Sequence, residues 1–182
     1  MKHSGTQRLE TERLVLRRFT QQDAAAMYKN WAADGEVTKY LTWPTHPNQE
    51  VTEQVVADWV RGYDSQSCYQ WAIVLKELGE PIGSITVVSM DEGVAMAEVG
   101  YCIGRPWWNK GITSEALKAV MEFLFAVVGF HRIQGRHDPR NPYSGHVMQK
   151  CGMEYEGTLR SADRNNQGIC DICCYARLNS DG

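Results

Sequence analysis

The sequence predicts a mixed α/β fold of the α+β kind: a central, mostly antiparallel sheet of about seven strands flanked by about four helices. Three observations carry this. From Tyr69 to Ile103 apolar and polar residues alternate with a period of two, broken by Gly79-Glu80-Pro81 and Asp91-Glu92-Gly93, which reads as three consecutive antiparallel strands. From Ile112 to Val128 the spacing becomes that of a long, largely buried helix, with Glu115, Lys118 and Glu122 as its charged stripe. Beyond it, strand and helix patterns continue to the carboxyl end.

Taken in order, Leu14 to Phe19 reads as a first strand. Thr20 with Asp23 resembles a capping box that opens a helix through Trp31. Pro44 and Pro47 make Leu41 to Pro47 a loop, and Val51, Val55, Val56, Trp59 and Val60 recur at helical spacing over Asn48 to Tyr63. The three meander strands cover Tyr69–Lys76, Pro81–Met90 and Val94–Ile103. After the long helix come a strand from Phe130 to Arg136 and a helix from Asn141 to Lys150, with Asn141 as cap and Pro142 at the first position. Strands over Met153–Leu159 and Ile169–Leu178 complete the sheet. No repeat or linker divides the chain, so residues 1–182 are expected to form one domain, with residues 1–10 a flexible leader.

A net charge of −3 over 182 residues argues against a nucleic-acid binder. The longest apolar run, Ala119 to Phe130, is interrupted by Glu122 and Gly129, so no membrane span is expected. The polar start, MKHSGTQRLETERL, lacks the apolar centre of a signal peptide, which predicts a cytoplasmic protein with its six cysteines reduced. Cys170-x-x-Cys173 has no second ligand pair at zinc spacing, and no metal site is predicted.

The stretch GRPWWNKGITSEALKAVMEFLF, Gly104 to Phe125, places a small cationic loop directly before the greasiest helix. That helix lacks a capping box, because Thr113 is followed three residues later by Ala116, so its first N–H groups are left for a ligand. Converging N–H groups and the helix dipole favour an anion. Gly111 permits close backbone approach, Asn109 tolerates positive φ and Lys110 adds charge, so the loop reads as a phosphate cradle. An ordinary turn into a core helix accounts for the loop equally well. Neither G-x-x-x-x-G-K-[ST] nor G-x-G-x-x-G after a strand is present.

With Thr11 to Arg17, Ala97 to Ile103, Trp108 to Leu117, Asn141-x-x-Ser144, Lys150 to Met153, Tyr155 to Gly157 and Asp171 to Arg177 in this order, the chain resembles the GCN5-related N-acetyltransferases. It is most similar to the branch that acetylates ribosomal-protein amino termini. The resemblance implies that fold, acetyl-coenzyme A as cosubstrate, and no metal. It implies that Trp108, Asn109, Lys110, Gly111, Ile112, Thr113 and Ser114 form the pyrophosphate site, and that the strand through Tyr101, Cys102 and Ile103 pairs with the pantetheine arm. Of the family signature [QR]-x-x-G-x-[GA] only Gly111 is retained, with Trp108 and Thr113 at the first and last positions.

Asn141 matches a residue that contacts the arm in the family. Met148 stands where many relatives have a tyrosine that protonates the departing thiolate, and Ser144 matches a serine acid of the ribosomal-type branch. An N–H near Tyr101 to Ile103 suits the oxyanion. Asp163 and Glu98 are both candidates for the base. Trp31, Trp43 and His46 fall in the helix–loop region that walls the acceptor site in the family, although large residues closing a small core explain them too. The implied function is direct transfer of an acetyl group, in a ternary complex, to a protein α-amine. Open alternatives are a small amine such as a polyamine, amino acid or antibiotic, a catalytically silent acetyl-coenzyme A module, and an unrelated nucleotide binder. Similar proteins commonly form homodimers.

Overall fold

Alternating burial in Leu14–Arg17 sets the pattern of the sheet. Leu14 and Leu16 face one core and Val15 the other, so the strand must be covered on both sides. The structure, a computed structural model, describes residues 1–181. Its eight strands lie in the order β1-β2-β3-β4-β5-β6-β8-β7. They are β1 (Leu9–Glu10), β2 (Leu14–Arg17), β3 (Gln70–Leu75), β4 (Pro81–Asp91), β5 (Met96–Ile103), β6 (Arg132–His137), β7 (Glu154–Asn165) and β8 (Gly168–Leu178). Neighbours are antiparallel except β5 and β6, which are parallel and therefore need a crossover. The helix α4 (Ile112–Phe123) supplies it, continued by a π-helical turn, Leu124–Val128, that Gly129 ends at φ 88°.

On one face Leu117, Val120 and Met121 of α4, with Val147 and Met148 of α5 (Pro142–Lys150), pack against Leu16, Ile73, Val99 and Ile133. On the other, Met27 of α1 (Ala24–Met27) and Val56 of α3 (Gln49–Gly62) cover Ala72 and Val74. Between them lies the short α2 (Gly35–Thr38), capped by the Asp34 carboxylate on Glu36 N. No described helix is long and apolar enough to cross a membrane.

Three expectations need correction. Residues 1–10 are not a loose leader. Lys2 N donates to Val128 O at 2.8 Å, Thr6 Oγ1 bridges Cys68 O and Gln70 N at 2.9 Å each, and Leu9–Glu10 adds the eighth strand. The segment supplies partners that the start of β3 would otherwise lack. The helix from Thr20 is broken into a 3₁₀ turn, α1 and a π turn, although Thr20 N does bond Asp23 Oδ2 at 2.7 Å. Finally, β7 does not end at Leu159. It runs to Asn165 because a bulge between Leu159 and Asp163, with Ser161 at φ 47°, absorbs the polar residues that read as a loop.

Candidate active site

The parallel pairing of β5 with β6 covers only Met96 to Val99. Beyond it the strands part, and the wedge between them leaves one edge of β5 open. Gly104 N bonds Ile82 O at 2.8 Å, and Cys102 is paired with Ser84. Alternation along the ladder then turns the amides of Tyr101 and Ile103 away from β4 and into the wedge. The Ile103 carbonyl there accepts from Trp108 Nε1 at 2.9 Å.

Two chambers meet in this wedge. The smaller, about 250 Å³, is lined by Val37, Ile103, Trp108, Thr113 and Tyr143. The larger, about 540 Å³, is lined by Gln70, Ser84, Thr86, Glu98, Arg136, Asp138 and Asp163. Tyr40, Leu41, Tyr101, Cys102, Asn141 and Ser144 line both, and form the passage between them.

Between Trp108 and Thr113, which line the smaller chamber, Asn109 and Gly111 sit at φ 58° and 72°, the left-handed region that the sequence anticipated for this loop. Glu115 N bonds Gly111 O as the first helical bond, and no side chain caps the N–H groups of Ile112, Thr113 and Ser114 ahead of it. A Cβ on Gly111 would meet only Arg13 Nη2, at 3.6 Å, so the concavity is open backbone. This arrangement fits a diphosphate. Thr113, however, is 1% exposed and its hydroxyl lies 3.3 Å from Tyr143 Oη, so it is spent inward rather than on a phosphate. Lys110 is exposed, and Ser114 is buried with its carbonyl facing Cys151.

In the passage, Ser144 Oγ donates to Tyr101 Oη at 3.2 Å, and Tyr101 Oη donates to Ser144 O at 2.9 Å. Burial pushes the Tyr101 phenol above its ordinary value, against the Ser144 bond. Burial likewise raises the Cys102 thiol to about 11, so it is protonated at neutral pH. Asn141 N donates to Asp138 O, but its side chain does not cap α5 as the sequence implied; it borders the passage instead.

The two carboxylates differ in surroundings. Glu98 accepts Gln134 Nε2 at 2.8 Å on one oxygen and Arg136 Nε at 3.0 Å on the other. Asp163 lies 4.0 Å from Arg136 Nη2 and accepts only the backbone of Arg164, leaving it open to the larger chamber. Of the three aromatic candidates for the acceptor wall, only Trp43 lines the chamber. Trp31 is fully buried among Phe19, Met27 and Val56, and His46 is buried with Nδ1 on Thr52 Oγ1 at 2.7 Å. Both are corrected to core residues. Burial holds the His46 imidazole below its usual value.

Sequence reading missed Tyr40, Tyr143, Arg136 and Asp138. The Asp138-x-Arg140 spacing was the one available signal: Arg140 bonds Asp138 at 2.6 Å, while Asn165 reaches the same carboxylate at 2.9 Å. Cys170 and Cys173, three apart on β8, fall on opposite faces. Among the described residues no group of three or more His, Cys, Asp or Glu side chains is gathered for a metal ion.

A split parallel pair, an open strand edge and an uncapped helix start thus lie together beside a two-chambered passage. The chain belongs to the GNAT acetyltransferase family: the sequence model of the acetyltransferase (GNAT) domain matches residues 13–154. It is accordingly an N-acetyltransferase that uses acetyl-coenzyme A. The N-acetyltransferase YoaA of Bacillus subtilis (strain 168), itself uncharacterized, is 31% identical over 168 residues, covering 92% of this chain and 94% of YoaA. The ribosomal protein uS5-alanine N-acetyltransferase of Escherichia coli (strain K12) is 27% identical over 158 residues, covering 82% of this chain and 79% of that one. A GNAT-family acetyltransferase from Bacillus anthracis superposes with a TM-score of 0.84 at 26% identity, over 96% of this chain and 100% of that chain.

Proposed function

We propose that the chain acetylates the N-terminal α-amine of a protein, of the ribosomal-protein kind, by direct attack in a ternary complex. The observation that carries this reading is the passage itself. Ser144 stands between a small chamber that Trp108 and Thr113 line, at either end of the loop, and a large one that Asp163 lines. In this reading the loop and the α4 start hold the pyrophosphate, while the open edge of β5 and the Asn141 amide hold the pantetheine arm. Trp43 borders the acceptor. Acetyl-coenzyme A supplies the thioester.

The acceptor nitrogen attacks the thioester carbonyl from the large chamber, and the carbonyl oxygen gathers charge that the Tyr101 or Ile103 N–H stabilises. The C–S bond breaks, and the departing sulfur takes a proton from the Ser144 hydroxyl, which is restored through water by the proton that Asp163 has taken from nitrogen. The ammonium gives its proton to Asp163, directly or through water. Glu98 is the weaker base, because both its oxygens are occupied. A peptide α-amine titrates at ~7.7–8.0, so about a tenth is neutral at pH 7 and a modest base suffices; a lysine at ~10.4 would demand more. Such acceptors are met in the cytoplasm.

A second reading, a small cationic amine such as a polyamine, is favoured by Asp163, whose carboxylate is open to the larger chamber. Thiol release with acetyl-coenzyme A, measured on peptides with free and blocked amino termini and on small amines, decides between them. Release that needs a free peptide terminus supports the proposal. Release only with small amines sinks it in favour of the second reading, and tight coenzyme A binding without release from any acceptor points to a silent module.

A further inference from the structure

Arg13, just ahead of β2, ties three parts of the molecule to the cradle. Its backbone N donates to Glu115 Oε1 at 2.9 Å and its Nε to Glu115 Oε2 at 2.7 Å. Thr11 Oγ1 reaches Oε1 of the same carboxylate at 2.6 Å. Glu115 belongs to the first turn of α4, so this carboxylate fixes the helix start to the β1–β2 connection. Burial would raise its pKa, but the Thr11 and Arg13 bonds outweigh burial and hold it lowered. The guanidinium then reaches past Glu115: Nη1 donates to the Lys110 carbonyl at 2.9 Å, and Nη2 faces Gly111.

The bond to Lys110 O decides which way the loop's next donor points. In a trans peptide the N–H of residue i+1 points opposite to the C=O of residue i, and no peptide of the described chain is cis. Holding the Lys110 carbonyl on the Arg13 side therefore turns the Gly111 N–H to the opposite side, away from the guanidinium. With Asn109 and Gly111 both left-handed, this peptide has no regular neighbour to hold it, and Arg13 is the side chain that does. The task needs a planar fork with several donors in fixed directions, spanning a carboxylate on a helix and a carbonyl on a loop. A lysine offers only a single point of charge and cannot bridge both.

We propose that Arg13 is a positioning residue for the diphosphate of coenzyme A, acting through the Lys110 carbonyl and Glu115 to aim the N–H groups of Gly111 and the α4 start at the anion. This rests on the reading of Asn109 to Ser114 as the pyrophosphate cradle. It goes beyond that reading in giving the cradle's shape to a residue about a hundred positions away in sequence. Arg13 governs the diphosphate half of the donor and has no part in the acyl half.

The test compares donors with and without a diphosphate. Calorimetry with coenzyme A gives Kd for the wild type, Arg13→Gln and Arg13→Lys, and steady-state kinetics compare acetyl-coenzyme A with S-acetyl-pantetheine. Arg13→Gln is expected to raise the coenzyme A Kd about tenfold, the loss of one charge-assisted hydrogen bond. KM for acetyl-coenzyme A should rise in proportion with kcat unchanged, and KM for S-acetyl-pantetheine should not move. Arg13→Lys retains a charge for Glu115, so it should keep near wild-type melting while the coenzyme A Kd stays raised. It stands in if Arg13→Gln does not fold. An unchanged coenzyme A Kd in a folded variant, or equal weakening of both donors, overturns the proposal. A wild type that binds coenzyme A no better than pantetheine overturns the cradle itself, whatever Arg13 does.

Discussion

Ser144 and Tyr101 are joined twice over. The serine hydroxyl donates to the tyrosine oxygen at 3.2 Å, and the tyrosine hydroxyl donates back to the serine's own carbonyl at 2.9 Å. This pair of bonds holds the Ser144 oxygen at the passage between the chambers, and Tyr101, raised by burial, stays a neutral phenol through the working pH range. Ser144→Ala should therefore lower kcat by about a hundredfold, the low end of general-acid contributions, with coenzyme A affinity unchanged. Tyr101→Phe keeps the serine but frees its rotamer, and should cost about tenfold or less. Turnover measured for both at saturating acetyl-coenzyme A checks the order. A tyrosine variant slower than the serine variant would make Tyr101 the group that passes the proton.

Glu98 and Asp163 face the same Arg136 and should separate cleanly. Glu98→Gln removes the close partner of a guanidinium one-third exposed, so it should lower stability by about 1–2 kcal/mol, less than for a fully buried pair, with little effect on rate. Asp163→Asn gives up only a 4.0 Å contact and should leave melting nearly unchanged while slowing turnover at pH 6–7. That deficit should shrink above pH ~8, where the acceptor amine sheds its own proton. A deficit constant across pH would remove Asp163 as the base, and a rate loss confined to Glu98→Gln would transfer the role.

Periodicity located every long strand, because Leu14, Leu16, Ile73 and Val99 alternate against covers on both faces. It stopped short on β7, where Arg160 to Asp163 are polar and only the bulge at Ser161 carries the strand through them. The left-handed loop was legible because Asn109 and Gly111 are residue types with a physical reason to be there. The acceptor wall was less so. Trp31, Trp43 and His46 share large size, and size does not say which face a side chain takes; only Trp43 is left at the chamber once α1 and α3 have packed. Tyr40 and Arg13 carry no local signal, since their partners Arg140 and Glu115 are distant in sequence.

The loop over the large chamber is held from afar in the same way. Asn166, in the β7–β8 turn, donates Nδ2 to Thr38 O and Trp43 O at 2.8 Å each, and its backbone N to Leu41 O at 3.1 Å. Asn166→Ala removes the two side-chain bonds. It should raise acceptor KM several-fold and lower stability by about 1 kcal/mol, both bonds being at least partly exposed. Coenzyme A affinity should be spared. Steady-state kinetics with a free-terminus peptide, beside coenzyme A calorimetry, check the split; a matching loss of coenzyme A binding would mean that the turn supports the whole wedge rather than the acceptor loop.

Asp138 connects that same hairpin to the start of α5. Its side chain is 1% exposed and accepts from Arg140 N, Nε and Nη2 and from Asn165 Nδ2. The Arg140 side chain, opposed by burial and aided by the Arg140 N–H and Asn165, holds this carboxyl well below the usual aspartate range. A carboxyl that binds its proton less readily when folded stabilises the fold fully above its unfolded value of ~3.9, and that contribution is lost as pH falls below it toward the folded value. Asp138→Asn should thus melt lower than the wild type at pH 7, with a gap that stays constant down to pH ~5 and narrows below about 4. Paired thermal melts from pH 7 to pH 3 read this directly. A gap of the same size at every pH would mean that Asp138 contributes shape and neutral hydrogen bonds, with its charge contributing nothing.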